Sequence, residues 1–268
     1  GLAALLVEAQ GEDSAFALLP ADHVIENHEG FRSVLESAFE AAEEDASLVT
    51  IGIKPDFPST GYGYLCRGEQ LNAENGRALS RVDRFVEKPD LFTAEEYLQA
   101  GHYFWNAGMF VWRPSVILSA LGKYAPELSA GLAELKEDWK LSGSLAESMS
   151  KVYPTLEKIS IDFAVMEKAE GVVMLESAFD WDDVGEWPAI ARHYAKDDSG
   201  NVFKGMGVAI DSTENLTFSE DGHCISLLGV KDLIVVQSAD ATMICHKDCA
   251  QQVKELAQKV SKSHPELS

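Results

Sequence analysis

Basic residues are scarce in this 268-residue chain: 22 Lys and Arg stand against 44 Asp and Glu, a formal net charge of −22. A nucleic-acid-binding surface needs a basic footprint, so that class of function is excluded. The same charge repels a phosphorylated substrate unless a metal ion or a few placed bases offset it locally. Cysteine is sparse too. The four at 66, 224, 245 and 249 show no paired framework, which points to reduced thiols in a cytoplasmic protein. The run CHKDC offers Cys245, His246 and Cys249 but lacks the paired short spacings of a structural zinc site. No apolar run reaches the ~20 residues that span a membrane, and no charged-then-apolar leader is visible. No repeat of fixed period is expected, and no Ser/His/Asp or Cys/His arrangement suggests a covalent nucleophile.

What is present is a globular composition, 46% hydrophobic, enough for one large core or a core with a small appendage. LAALLVEA (2–9) has a helical pattern that stops at Gly11, and SAFALLP (14–20) reads as a short buried strand. Residues 31–45 carry apolar positions at helical spacing, and SLVTIGI (47–53) is a second buried strand. This alternation predicts an α/β fold, a Rossmann-like core with a mostly parallel sheet covered by helices. Strands are also predicted at 59–65, 81–89, 103–112 and 172–179, with a helix from Pro114. After residue 200 the chain breaks into short strands punctuated by Gly, Asp and Asn, followed by a terminal helix. The predicted organisation is therefore a core over 1–200 and a β-rich segment with helix over 201–268, the latter a possible dimer contact.

The chemistry-bearing residues cluster at predicted strand ends, where α/β sheets bind ligands. FDWDDVGEW (179–187) places Asp180, Asp182 and Asp183 between two tryptophans. Read as a calcium loop from Asp180, it has Val184 and Ala191 where positions 5 and 12 demand ligands, so that reading fails. A magnesium ligand competes with an ordinary acidic turn. Asp22, in PADH directly after a strand, suits a split pair with Asp183, since Mg²⁺ takes one or two carboxylates and leaves the rest to water and phosphate. The alternative for Asp22 is a helix cap or turn. His23 reads as a packed histidine, because magnesium prefers oxygen.

FVEKPD (85–90) puts Glu87 and Lys88 where the chain leaves a strand before Pro89. A lysine there can neutralise a phosphate and a carboxylate can accept sugar hydroxyls; the alternative is a surface ion pair worth little. Gly61, Tyr62 and Gly63 allow close backbone approach to a ligand or merely form a turn. Asn106, between Trp105 and Ala107, needs hydrogen-bond partners if buried.

LPADHVI, TIGIKPDFPSTGYGYL, RFVEKPD, YFWNAGMFVW, SIDFAVMEK and WDDVGEW, taken in this order, resemble the sugar-nucleotide pyrophosphorylases, most closely their mannose-specific, guanylyl-transferring branch. The likeness covers nearly the whole chain. It implies a nucleotidyltransferase using GTP and mannose 1-phosphate, with a homodimer expected. By resemblance, Asp22 and Asp183 hold the catalytic Mg²⁺, and Lys88 binds the sugar phosphate. Glu87, Asn106 and the Gly61–Tyr62–Gly63 backbone hold the mannose. The family often has serine where this chain has Asp182, which leaves Asp182 as the competitor of Asp183. Members also open with a glycine-rich loop carrying Arg and Lys. The chain starts at Gly1 inside a helical pattern without that loop, so it is expected to be truncated by on the order of two βα units and to be catalytically poor as it stands. Another sugar-1-phosphate/nucleotide pair and a non-catalytic nucleotide-sugar-binding subunit are the alternatives.

Overall fold

A computed structural model of the chain describes residues 1–11, 13–44, 47–72, 78–185, 187–220 and 222–267. The described residues form two compact units, one of 1–21 and 25–181, the other of 22–24 and 182–268.

The first unit is built on strand β2 (Leu48–Ile53), every residue of which is buried. Its side chains alternate: Leu48 joins one apolar cluster, whereas Val49, Ile51 and Ile53 join a second. A strand buried on both faces needs cover on both. Helix α2 (His28–Glu44) covers one with the stripe Val34, Ala38, Ala41 and Ala42, spaced at the helical period. Ile117 and Leu121 of helix Pro114–Tyr124, with Leu132 and Leu135 of helix Pro126–Ser142, cover the other. Helix α1 (Leu2–Glu8) and strand β1 (Phe16–Leu18) precede them, and Gly11 at φ +87° follows α1 as its composition suggested.

The six-stranded sheet has the order β1-β5-β2-β6-β4-β3, with β3 (Tyr64–Asn72), β4 (Ala78–Val86), β5 (Tyr103–Trp112) and β6 (Val172–Glu176). Strands β1, β2, β3 and β6 run one way and β4 and β5 the other, as the pairings require. The expected α/β core is thus present with most strands co-directional, but only β2 and β6 are parallel neighbours. The reason is that β5 inserts between β1 and β2, and β4 between β6 and β3, each antiparallel to both neighbours. Two predicted boundaries also shift. Strand β3 starts at Tyr64, leaving Gly61–Gly63 in the turn before it, and β6 ends at Glu176, leaving Phe179 and Asp180 in the loop after it. The polar excursion between β3 and β4 lies in part outside the described residues.

The second unit stacks short strands in parallel. Strand β7 (Val202–Lys204) pairs with β9 (Leu216–Ser219), β9 with β11 (Leu233–Gln237), and β8 (Met206–Ile210) with β10 (Cys224–Leu228). Met206 sits opposite Cys224, Thr213 opposite Lys231 and Leu216 opposite Ile234, each with the same offset of 18 residues. Val202 sits opposite Leu216, however, an offset of 14, so successive coils of this small parallel stack differ in length and no single period runs through it. Gly205 at φ +105° breaks the apolar run into β7 and β8. Inside the coil, Asn215 donates its Nδ2 to Asn201 Oδ1 (2.9 Å), and Asn201 Nδ2 donates to Ser212 O (2.9 Å). Both amides are buried and satisfied. A further offset of 18 would stack Thr242–His246 on β10, but that strand, β12, pairs antiparallel with β11 instead. A helix over Val253–Ser263 follows. Among the described residues no helix is long and apolar enough to cross a membrane.

Candidate functional site

In the first unit, the turn before β3, the end of β4 and the middle of β5 bring Gly63, Glu87, Lys88 and Asn106 together. The Gly63 carbonyl accepts from the Asn106 backbone N–H at 2.8 Å. A Cβ on Gly63 would lie 2.5 Å from Glu87 Oε2 and 3.5 Å from Asn106 Cβ, so only glycine lets the Glu87 carboxylate occupy its place. Gly61 is different, since a Cβ there would meet nothing closer than Ser59 Oγ at 3.6 Å. The Tyr62 ring packs edge-on against Trp105 (5.0 Å) and Trp181 (5.4 Å), which makes its side chain part of the apolar wall.

Glu87 and Lys88 form an ion pair, but not a plain surface one: the Glu87 side chain is 7% exposed and that of Lys88 59%. Lys88 also has φ +48°. A left-handed residue directly before proline is disfavoured twice, by its own Cβ and by the proline ring. Such strain at the rim of a sheet is characteristic of functional positions.

Asn106 is held at both ends of its amide. Thr50 Oγ1 donates to Oδ1 at 2.9 Å, and Nδ2 donates to Asp162 Oδ1 at 3.2 Å. Asp162 opens a π-helical turn (Asp162–Met166), and burial together with the neighbouring Glu87 pushes its carboxyl above the usual range despite nearby Lys88. Thr50 and Asp162 carried no role in the sequence reading. An acid in the apolar run IDFAVM was the available signal for Asp162; the Thr50 contact has none, because β2 and β5 pair only in the folded chain.

The three acids of FDWDDVGEW separate into distinct tasks. Asp180 Oδ1 and Oδ2 accept from the backbone N–H of Asn27 (2.7 Å) and Glu26 (2.8 Å), just ahead of α2. Burial pushes this carboxyl up, but those two N–H donors outweigh it and hold it low. Asp182 belongs to the second unit. It accepts Nε and Nη2 of Arg192 (2.9 and 2.8 Å) and the Val184 N–H (3.0 Å), with His193 Nε2 at 3.0 Å. Burial raises it, and the Arg192 fork with these neighbours outweighs burial and lowers it. Four partners occupy about all the lone-pair sites a carboxylate has.

Asp183 stands next to it, ahead of Val184 at φ +49°, an outlier for a β-branched residue. Val24 N–H donates to Asp182 O at 2.8 Å and Asp182 N–H to Val24 O at 3.1 Å, which ties the Asp22 loop to the Asp183 loop. His23 follows Asp22 in the chain. Burial lowers its pKa, against the opposing fields of Asp22, Asp183 and Asp182. Among the described residues no group of three or more His, Cys, Asp and Glu is arranged for a metal ion. That includes the CHKDC run, where the Asp248 N–H meets His246 Nδ1 at 3.3 Å. Two carboxylates do fit Mg²⁺, which completes its shell with water and phosphate.

The family profile described as nucleotidyl transferase matches residues 2–200. The chain belongs to the nucleotidyl transferase family. A second profile, the MannoseP isomerase/GMP-like beta-helix domain, matches residues 205–260. The chain is 38% identical over 255 residues to the alginate biosynthesis protein AlgA of Pseudomonas aeruginosa, covering 95% of this chain and 52% of that one. It is 35% identical over 254 residues to the mannose-1-phosphate guanylyltransferase of Klebsiella pneumoniae, covering 95% and 53%. The chain thus spans about half the length of the curated relatives it matches. A crystal structure from Thermus thermophilus, described as a mannose-1-phosphate geranyltransferase, superposes with TM-score 0.81 at 33% identity, covering 97% of this chain and 73% of that one.

Proposed function

We propose that this nucleotidyl transferase carries out Mg²⁺-dependent transfer from GTP to mannose 1-phosphate, giving GDP-mannose and pyrophosphate. The observation that carries the reading is the arrangement at the end of β4. A lysine held on a buried carboxylate stands beside a glycine that makes room for it and an amide fixed at both ends. Glu87 and Asn106 present an acceptor and a donor suited to sugar hydroxyls, and Lys88 presents a charge suited to the sugar phosphate. The Gly61–Gly63 turn borders them. The choice of mannose and GTP rests on the relative whose name states that activity.

Asp22 and Asp183 are the proposed metal ligands. Asp183 is preferred over Asp182 because the latter's oxygens are committed to Arg192, His193 and Val184. A Mg²⁺ held there would neutralise charge on the α-phosphate and the departing pyrophosphate. The sugar phosphate oxygen attacks the α-phosphorus and pyrophosphate leaves, so this chain's own residues act by positioning and charge neutralisation. The reading includes a core over 1–200, a β-rich part over 201–268, a cytoplasmic location and a homodimer. Matches to two profiles, four free cysteines and the exposed apolar residues Met206, Val208, Ile210 and Leu228 support these in turn.

The test is pyrophosphate release over a panel of nucleoside triphosphates and sugar 1-phosphates. Turnover with GTP and mannose 1-phosphate is expected, and turnover confined to other pairs overturns the assignment.

A further inference from the structure

We infer that Asp162 is a positioning residue for the sugar site, acting through Asn106: it fixes which end of the Asn106 amide faces the ligand. The inference rests on the sugar-1-phosphate reading above. The oxygen and nitrogen of an asparagine amide have nearly the same shape, so partners alone decide its orientation. Here the buried Thr50 hydroxyl reaches both Oδ1 (2.9 Å) and the Met109 carbonyl (3.2 Å) with one hydrogen, so it accepts either end of the amide, whereas Asp162 can only accept when ionised and so takes Nδ2. The flipped amide would face oxygen against carboxylate. One Nδ2 hydrogen is used by Asp162 and the second remains as a donor of fixed direction.

The cost of this arrangement is visible at Asp162. It is a carboxyl set into a mostly buried turn near the carboxylate of Glu87, and both burial and that neighbour disfavour its charge. A residue kept for packing would not be an ionisable group in that place. A residue kept for orientation must be an acceptor, and a charged carboxylate cannot reverse the polarity of its bond to the amide. Asparagine at 162 could, since its own amide can turn and donate.

Two variants, Asp162→Ala and Asp162→Asn, separate this role from a structural one. Mannose 1-phosphate binding is measured by calorimetry on the parent and both variants, with GTP binding and thermal unfolding alongside. The expected result is about a tenfold weaker Kd for the sugar phosphate in Asp162→Ala, the worth of one charge-assisted hydrogen bond. Asp162→Asn should weaken binding less. GTP affinity should be unchanged in both, and the unfolding temperature of Asp162→Asn should be no lower than the parent's. Sugar-phosphate affinity within twofold of the parent in both variants overturns the inference, as does a loss matched by the same loss for GTP.

A ligand-free measurement keeps the two readings apart. The side-chain amide protons of Asn106, followed by ¹⁵N NMR, should exchange faster with solvent in Asp162→Ala by about tenfold. If the parent does not bind mannose 1-phosphate, the sugar reading fails. The Asn106 signal then decides the clamp by itself, and an unmoved signal overturns it.

Discussion

Val24 and Asp182 exchange backbone hydrogen bonds in both directions, 2.8 and 3.1 Å long, although most of the chain lies between them. Asp22 and Asp183 therefore flank one isolated bridge rather than standing on two independent loops. The Arg192 fork engages Asp182, one of the two bridge residues.

Asp183→Asn and Asp182→Asn are therefore expected to fail differently. The first should abolish Mg²⁺-dependent turnover while the fold is kept. The second should lower stability by about 1–2 kcal/mol, the scale of a charge-assisted bond discounted for the half-exposed Arg192, and should raise the Mg²⁺ concentration needed for activity. Equal loss of stability in both would count against the division of labour.

At Gly63, alanine should displace the Glu87 carboxylate, because the added Cβ would lie 2.5 Å from Oε2. We expect the KM for the sugar phosphate to rise about tenfold or more with little change in KM for GTP. Gly61→Ala, with open space around it, should be silent in the same steady-state assay.

Lys88 offers a test that separates stability from function. Both variants lose the ion pair to Glu87, but Lys88→Gly also relieves a left-handed backbone and should be more stable than Lys88→Ala by up to about 1 kcal/mol. Both should weaken sugar-phosphate binding alike, as calorimetry and denaturant unfolding on the pair would register.

The pH dependence carries two signs. Asp180 and Asp182 have lowered carboxyls in the fold, so they contribute stability that is present above the usual carboxylate range and lost as pH falls through it. Asp162 is raised, so its contribution is present at low pH and lost as pH rises through its folded value. Unfolding curves of the parent and Asp162→Asn should therefore diverge from acid toward neutral pH, with the variant the more stable at neutral pH. A gap that narrows instead would contradict the burial of that carboxyl.

How much of this was legible beforehand follows from the range of each interaction. Helix α2 and strands β2 and β5 could be read because their periodicities are local, and β5 was read to both of its ends. The co-directional strands were readable from the β–α–β alternation, whereas the insertion of β5 between β1 and β2 was not, since strand order is a matter of long-range pairing. In FDWDDVGEW the sequence held the density of acid but not its allocation. Asp180 is explained by backbone donors at Glu26 and Asn27, and Asp182 by a fork ten residues ahead, neither of which any local spacing announces. Gly63 and Gly61 looked equivalent on paper, and only the folded position of Glu87 tells them apart.

The unequal offsets of this stack, 14 residues from Val202 to Leu216 and 18 from Leu216 to Ile234, have a further meaning for how such a chain can change over generations. Each rung is paired with the rung beside it, so added length can be taken up in the loops between strands without moving inward-facing residues such as Asn215 and Ile234. Viable insertions in this part of the protein should therefore fall between strands, because one inside a strand turns its inward-facing residues outward.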